Sequence, residues 1–200
     1  MDLFNTSLIN NILPFDVITN YHGQIVNSQQ CAFFYAAFMQ RIQWKNDEAF
    51  IFGKHIVTKR KVAWYGESEF TYTYSNVAKT AMLFTEELLR LKKIVEKESK
   101  ATYNSCLLNL YHTGEEGMAW HSDDEKMLKK NGEIASVTLG AARKFSFKHK
   151  ATKQKVDVFL ENGSLLVMKD TTQKHWLHRL PPTKKVNTPR INLTFRTIEL

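Results

Sequence analysis

The sequence predicts an α+β chain, a double-sheet β-roll with two helices packed behind one sheet. Three observations carry that prediction. From Asn104 onward, six short runs have strand-type patterning: SCLLNLYH, EIASVTLG, RKFSFKHK, KVDVFLE, GSLLVMK and INLTFRTI. Turn formers separate them at Gly114 and Gly117, Asn131-Gly132, Gly140 and Asn162-Gly163. Upstream, two stretches have helical character instead. Strands this short and closely spaced favour stacked antiparallel sheets over a parallel α/β sheet.

Taken in order, residues 1–28 carry no motif that places them. After Ser28, read as an N-cap, QQCAFFYAAFMQRIQW lacks Pro and Gly and is apolar enough for a mostly buried helix. The stretch from Glu48 to Ser75, with FIFGKHIV and FTYTYS, is β-rich. From Val77 to Lys97 a second helix is expected, with Phe84, Leu88, Leu91 and Val95 in one apolar stripe. Its Glu86, Glu87, Lys92 and Lys93 are expected to form a solvated face rather than a binding site. Between VFLE and SLLVM, Asn162-Gly163 reads as a hairpin turn.

Composition sets outer bounds. With 200 residues, 43% hydrophobic, and 13 Phe, 7 Tyr and 4 Trp, the chain fits one domain with a sizeable core and excludes global disorder. The 28 Lys and Arg against 20 Asp and Glu give +8. That charge fits a polyanionic partner or simply a soluble basic surface, and excludes an acidic solvating protein. Cys31 and Cys106 sit among apolar residues and no CxxC occurs, so neither a disulfide scaffold nor a cysteine zinc site is supported. A reducing compartment fits. MDLFNTSLINNILPF has no basic n-region or cleavage site, and no apolar run reaches the roughly 18 residues of a membrane helix. The expectation is an intracellular, membrane-free monomer.

His121 and Asp123 lie two apart in AWHSDDE, so an extended segment aims both side chains the same way. His178 follows on another strand-like segment, HWLHRL. Two imidazoles and a carboxylate on neighbouring strands can occupy one face of an octahedral Fe(II), leaving positions for cosubstrate and O₂. Taken singly, either histidine fits a hydrogen-bonded structural role as well. In PRINLTFRT, Arg190, Asn192, Thr194 and Arg196 alternate with Ile191, Leu193 and Phe195. Facing inward, two guanidiniums would need a buried anion, and a small dicarboxylate suits their bidentate geometry. Facing outward, they would be an ordinary surface strand. Asn109 and Tyr111 in LLNLYH share one face and could bond the same ligand.

With these residues the sequence resembles the AlkB family of Fe(II)/2-oxoglutarate dioxygenases that dealkylate nucleic acids. The matching segments are Asn109-Leu-Tyr111, His121-Ser-Asp123-Asp124-Glu125, ASVTLGAARKF (135–145), His178, and Arg190 to Arg196, preceded by IFGKHIVTKRKVAWYGE (51–67) and FTYTYS (70–75). The resemblance implies a single domain over 1–200. It would hold a double-stranded β-helix, or jelly-roll, core at about 103–200 and an N-terminal nucleotide-recognition lid at about 48–76. It implies iron ligands His121, Asp123 and His178, and 2-oxoglutarate contacts from Asn109, Tyr111, Arg190, Asn192, Thr194 and Arg196, with Arg190 on the distal carboxylate. The implied reaction is oxidative demethylation with O₂, yielding succinate, CO₂, formaldehyde and the repaired base. A methyl group has no acidic proton, so the cofactor carries the hard step and the protein orients it.

The lid segment offers substrate contacts. Phe52, ahead of Gly53-Lys54 in FIFGKHIVTKRK, sits at a candidate hairpin tip where an apolar wedge could replace an extruded base. A core strand position is the plainer reading. The resemblance favours the wedge, since members acting on duplex DNA carry a similar aromatic finger. Lys54, Lys59, Arg60 and Lys61 would then neutralise phosphates. Tyr72 and Tyr74, flanking Thr73, share a strand face that could stack a flipped base or pack in a core. Asp124 and Glu125 could complement a cationic lesion such as 1-methyladenine or 3-methylcytosine. Arg143 lies near the expected pocket, with a rim salt bridge as its alternative.

The expected partner is alkylated DNA as a duplex, with single-stranded DNA or RNA as alternatives. A small-molecule or protein hydroxylase, and a noncatalytic basic jelly roll that binds nucleic acid, are the competing readings. The compartment would be the cytoplasm in a bacterium and the nucleus in a eukaryote.

Overall fold

The computed structural model describes residues 11–51, 54–74 and 77–199. Among them the strands are β1 (Ile18–Gln24), β2 (Lys45–Ile51), β3 (Lys54–Gly66), β4 (Thr71–Tyr74), β5 (Val77–Thr80), β6 (Met82–Leu83) and β7 (Ser105–Tyr111). They continue with β8 (Met118–His121), β9 (Ile134–Gly140), β10 (Arg143–His149), β11 (Lys155–Leu160), β12 (Ser164–Lys169), β13 (Trp176–Leu180) and β14 (Arg190–Arg196). Helices are α1 (Ser28–Arg41), α2 (Glu86–Ser99) and the short α3 (Thr172–His175). No helix among the described residues is long and apolar enough to cross a membrane.

A large sheet runs β1-β12-β9-β14-β7-β3-β2, with β6 on β3, and a small sheet runs β11-β10-β13-β8. From β7 to β14 the chain passes between them, large–small–large–small–small–large–small–large. That alternation is a double-stranded β-helix, the jelly-roll core.

The large sheet's two faces read directly from its register. Leu108, Leu110, Val137, Leu139, Ile191, Leu193 and Phe195 form its outer face, a core shared with Phe34 and Phe38 of α1 and Leu88, Leu91 and Val95 of α2. The opposite face looks toward the small sheet. One part is apolar, with Leu166, Met168, Phe147 and Trp176 in a second core. The other part is the polar row of β14, Arg190, Asn192, Thr194 and Arg196.

Three sequence expectations change here. Helix α1 is capped one residue earlier than expected, at Asn27. The Asn27 side chain accepts from the Gln30 N–H at 2.9 Å and the Gln30 side chain accepts from the Asn27 N–H at 3.0 Å. The second helix begins at Glu86 rather than Val77. Thr85 caps it by accepting from the Leu88 N–H at 3.3 Å, while Val77–Thr80 pairs with Thr71–Tyr74. Phe84 therefore leaves the helical stripe and the stripe starts at Leu88. Lastly, Asn162-Gly163 is a turn but not a hairpin, because β11 and β12 belong to different sheets. The turn is fixed to β9 instead: Gly163 N–H donates to the Thr138 carbonyl at 2.7 Å, and the Asn162 side chain accepts from Gly140 N–H at 2.9 Å. Gly163 has φ +78°, and a Cβ there would lie 2.7 Å from the Cys31 sulfur.

Candidate metal and anion site

The two ends of the site come from different sheets. On the small sheet, β8 and β13 pair so that His121 lies directly opposite His178. Asp123, two residues beyond His121, completes a group whose ligand atoms all lie within 4.8 Å of one another. His121 Nε2 and His178 Nε2 each lie 3.7 Å from the same Asp123 oxygen. The other nitrogen of His121, Nδ1, is 2.8 Å from the Ala119 carbonyl. Donating there leaves Nε2 with a free lone pair facing the group. His178 is buried, with Phe145 stacked on it at 5.5 Å and Phe147 edge-on at 6.3 Å.

Electrostatics keep Asp123 and His121 in ligand form. Burial alone would raise the Asp123 carboxyl, but contact with His178 and the charges of His178, Arg196 and His121 outweigh it and hold the group well below the usual carboxylate range. Burial, then the neighbouring His178, pushes the His121 imidazole down. A carboxylate and neutral imidazoles are what a divalent transition metal requires.

On the large sheet, β14 lies between β7 and β9, so its inner row has neighbours on both sides. Arg190 stands opposite Tyr111 and Gly140, Asn192 opposite Asn109 and Thr138, and Thr194 opposite Leu107 and Ser136. Arg190 is 2% exposed. Its Nη2 donates to Thr138 Oγ1 and Asn192 Oδ1, each at 2.8 Å, and its guanidinium lies 5.6 Å from the Tyr111 ring centroid. Asn192 in turn donates to Thr194 Oγ1 at 2.8 Å and accepts from Ser136 Oγ at 3.0 Å. Two buried atoms on this face, Arg190 Nε and Asn109 Oδ1, lack a hydrogen-bond partner among the described residues. Burial pushes the Arg190 guanidinium down to about 10, with Tyr111 opposing and Arg143 adding to the shift. A buried cation with an unused donor is a place for an anion. The residues present therefore fit both groups the sequence implies, a divalent metal on one side and a carboxylate ligand on the other.

Some expected contacts are placed differently. Arg196 Nη1 donates to Glu125 Oε1 at 2.9 Å, so Glu125 is engaged by the far end of the β14 row, while the adjacent Asp124 is exposed. Arg60 does not belong to a phosphate footprint. It is 8% exposed, ion-paired with Asp47, and lies 6.0 Å from the Tyr111 ring centroid. Lys59 is exposed and Lys61 half-buried. Among the described residues Arg143 forms no rim salt bridge. It is 2% exposed, and its guanidinium donates to the carbonyls of Thr113, Gly114, Glu116 and Pro181 at 2.9–3.4 Å, holding the loop that leads into β8. In the segment expected to touch the base, Ile51 pairs with Lys54 and Thr71–Tyr74 pairs with Val77–Thr80. Phe52 and Gly53 lie outside the described residues, as do the side chains of Lys54, Tyr72, Thr73 and Tyr74.

The sequence reading missed two sets of residues. Ser136 and Thr138 alternate in ASVTLG and complete the Arg190 network; their period of two on a strand flanking β14 was the available signal. Gln173 and Lys150 left no such signal. The Gln173 side-chain oxygen accepts from the Asp123 N–H at 2.9 Å. Lys150 Nζ donates to the Gln173 carbonyl at 2.8 Å and to Ser122 Oγ at 3.1 Å. Together they hold the Ser122–Asp123 segment from the side of α3.

Comparison with known proteins gives the chain's family and fold. The family described as the 2OG-Fe(II) oxygenase superfamily matches residues 18–196. The chain is 40% identical over 156 residues to the DNA oxidative demethylase ALKBH2 of Bos taurus, covering 74% of this chain and 56% of that protein. It is 38% identical over 149 residues to the alpha-ketoglutarate-dependent dioxygenase alkB homolog 3 of Homo sapiens, covering 70% and 51%. It thus spans little more than half the length of these relatives. The solved structure of OsALKBH1 shares the fold, with TM-score 0.64 over 92% of this chain and 100% of that one at 16% identity.

Proposed function

The chain belongs to the 2OG-Fe(II) oxygenase superfamily and, within it, to the AlkB family, and on that premise we propose that it oxidatively demethylates N-alkylated bases in DNA. Lesions of the 1-methyladenine and 3-methylcytosine type would be its substrates, with a duplex as the preferred form. The observation that carries the reading is that the chain holds both parts, His121, Asp123 and His178 grouped on the small sheet and a buried Arg190 network on the face of the large sheet that looks toward it. A surface strand or a nucleic-acid-binding jelly roll has no use for either.

His121 Nε2, Asp123 and His178 Nε2 would hold iron(II), and Arg190 would bind the distal carboxylate of 2-oxoglutarate. Bound there, iron(II) with 2-oxoglutarate and O₂ supplies the oxidising power to hydroxylate an unactivated methyl carbon. The protein's own part is orientation and exclusion. Asn192 and Thr138 fix the Arg190 guanidinium so that its fork faces one direction. Tyr111, opposite Arg190, and Asn109, opposite Asn192, offer a phenol and an amide oxygen on the same face. Phe145 and Phe147 cover His178 and keep water from that side. The exposed Asp124 carboxylate complements the positive charge of a methylated base and would favour it over a neutral one. A hydroxymethyl group left on the base nitrogen then departs as formaldehyde, restoring the base.

The segment at about 48–76 serves as the nucleotide-recognition lid in this reading, with Phe52 as a wedge in the base stack and Tyr72 and Tyr74 flanking the extruded base. Formaldehyde release from 1-methyladenine in duplex DNA, single-stranded DNA and RNA tests it. Duplex turnover should be highest, and Phe52→Ala should lower duplex turnover at least about tenfold while sparing single strands. Equal losses on both would remove the wedge. Turnover confined to RNA would replace DNA as the substrate.

A further inference from the structure

We propose that Asp16, His149 and His175 form a second divalent-metal site, which clips the segment ahead of β1 to the small sheet. Their ligand atoms lie within 4.8 Å of one another, as in the group around Asp123. His149 is 5% exposed, and its Nε2 is buried without a hydrogen-bond partner among the described residues. The Asp16 carboxylate oxygen is only 3.1 Å from that nitrogen, yet outside hydrogen-bonding geometry. A buried imidazole nitrogen at ion-pair distance from a carboxylate, with no hydrogen bond made to it, is an arrangement a shared cation resolves.

Each residue is held by its neighbours. His149 ends β10, with Phe15 edge-on at 4.9 Å and Trp176 at 5.0 Å. His175 ends α3, its ring parallel to that of His149 within 8°, and its carbonyl accepts from the Lys150 N–H at 2.8 Å. Asp16 takes a left-handed backbone, φ 68°, and its carbonyl accepts from Thr171 Oγ1 at 3.0 Å. Its side chain is 46% exposed and can close on an ion. Tetrahedral zinc holds ligand atoms about 3.3 Å apart, so the Asp16–His149 spacing already fits and only His175 must approach.

Thr152 allows either tautomer of His149. Its N–H donates to Nδ1 at 3.1 Å when that nitrogen is bare, and its hydroxyl, 3.0 Å away, can accept when Nδ1 carries the proton. A metal on Nε2 requires the second form, and the acceptor is in place. Two imidazoles and a carboxylate select zinc, cobalt(II) or a similar borderline ion over magnesium or calcium. The filled site would tie Asp16, β10 and the residue three before His178 into one unit.

The test is zinc binding to the full chain, counted by equilibrium dialysis with metal analysis. Wild type should hold two zinc ions per chain. His121→Ala/Asp123→Ala should keep one, and zinc should raise its thermal midpoint. Asp16→Asn/His175→Gln should likewise hold one, and adding both of its changes to the first variant should abolish binding and the thermal shift. If His121→Ala/Asp123→Ala binds no zinc, or keeps its zinc when Asp16 and His175 are replaced, the site does not exist. Should the Asp16→Asn/His175→Gln chain not fold, His175→Gln alone in the His121→Ala/Asp123→Ala background, which leaves the Asp16–His149 contact intact, should lose the zinc, and zinc retained there overturns the site. None of these outcomes depends on demethylation.

Discussion

His121 and His178 face each other across the β8–β13 ladder with ring centroids 4.3 Å apart, and their Nε2 atoms are equidistant from one Asp123 oxygen. Backbone pairing sets the first two ligands, and the two-residue offset brings in the third. Asp123→Ala should therefore abolish tight iron binding and lower turnover by more than about a hundredfold, without unfolding the core. Cobalt(II) titration followed by its visible bands, done in the Asp16→Asn/His175→Gln background so that only the Asp123 site is counted, checks binding separately from activity.

Gln173 positions the Asp123 backbone through a 2.9 Å hydrogen bond. Gln173→Leu keeps the side chain's approximate size and removes the acceptor. It should weaken metal binding at the Asp123 site by about tenfold to a hundredfold with little change in the KM for DNA. An unchanged metal affinity would show that Lys150 and Ser122 suffice to hold the segment.

Arg190 carries its charge at a cost that a ligand would offset. Its folded pKa, about 10, lies below that of an unfolded arginine, so the buried cation's cost is fully present at neutral pH and eases only as pH rises above about 10. Arg190→Met should accordingly raise the thermal midpoint of the ligand-free chain while removing 2-oxoglutarate binding. Thr138→Val, which leaves the charge but deletes one acceptor, should raise the KM for 2-oxoglutarate several-fold. Thermal melts with and without 2-oxoglutarate separate the two effects.

Arg143 bonds four backbone carbonyls and is almost fully buried. Arg143→Met leaves those carbonyls without their donor and should cost about 3 kcal/mol of stability, or roughly 6–12 °C in Tm. Urea melts with an unchanged m-value would confirm a loss of stability rather than of compactness.

Most of the core was legible because strand period and polar alternation are local signals. Arg190, Asn192, Thr194 and Arg196 could be placed on one face from sequence alone, and the register bears this out. What was not legible depends on crossing between sheets. Asn162-Gly163 looks like any hairpin turn, yet its strands part to different sheets, and nothing local to the turn records that. Val77–Thr80 continues the composition of a helix but finds a strand partner in Thr71–Tyr74. Arg60 read as a phosphate contact and Arg143 as a pocket or rim residue because charge says nothing of burial. Each finds its partners through tertiary contact, Arg60 with Asp47 and Arg143 with carbonyls from two separate loops. Asp16, His149 and His175 are far apart in sequence and met only in three dimensions.

The most direct test of the account is formaldehyde and succinate release from a 1-methyladenine oligonucleotide, with and without Fe(II) and 2-oxoglutarate. Release of both products in equal amounts, dependent on both additions and lost in His121→Ala, is the expected result. No formaldehyde from any alkylated DNA by a chain that demonstrably holds iron and 2-oxoglutarate would contradict it.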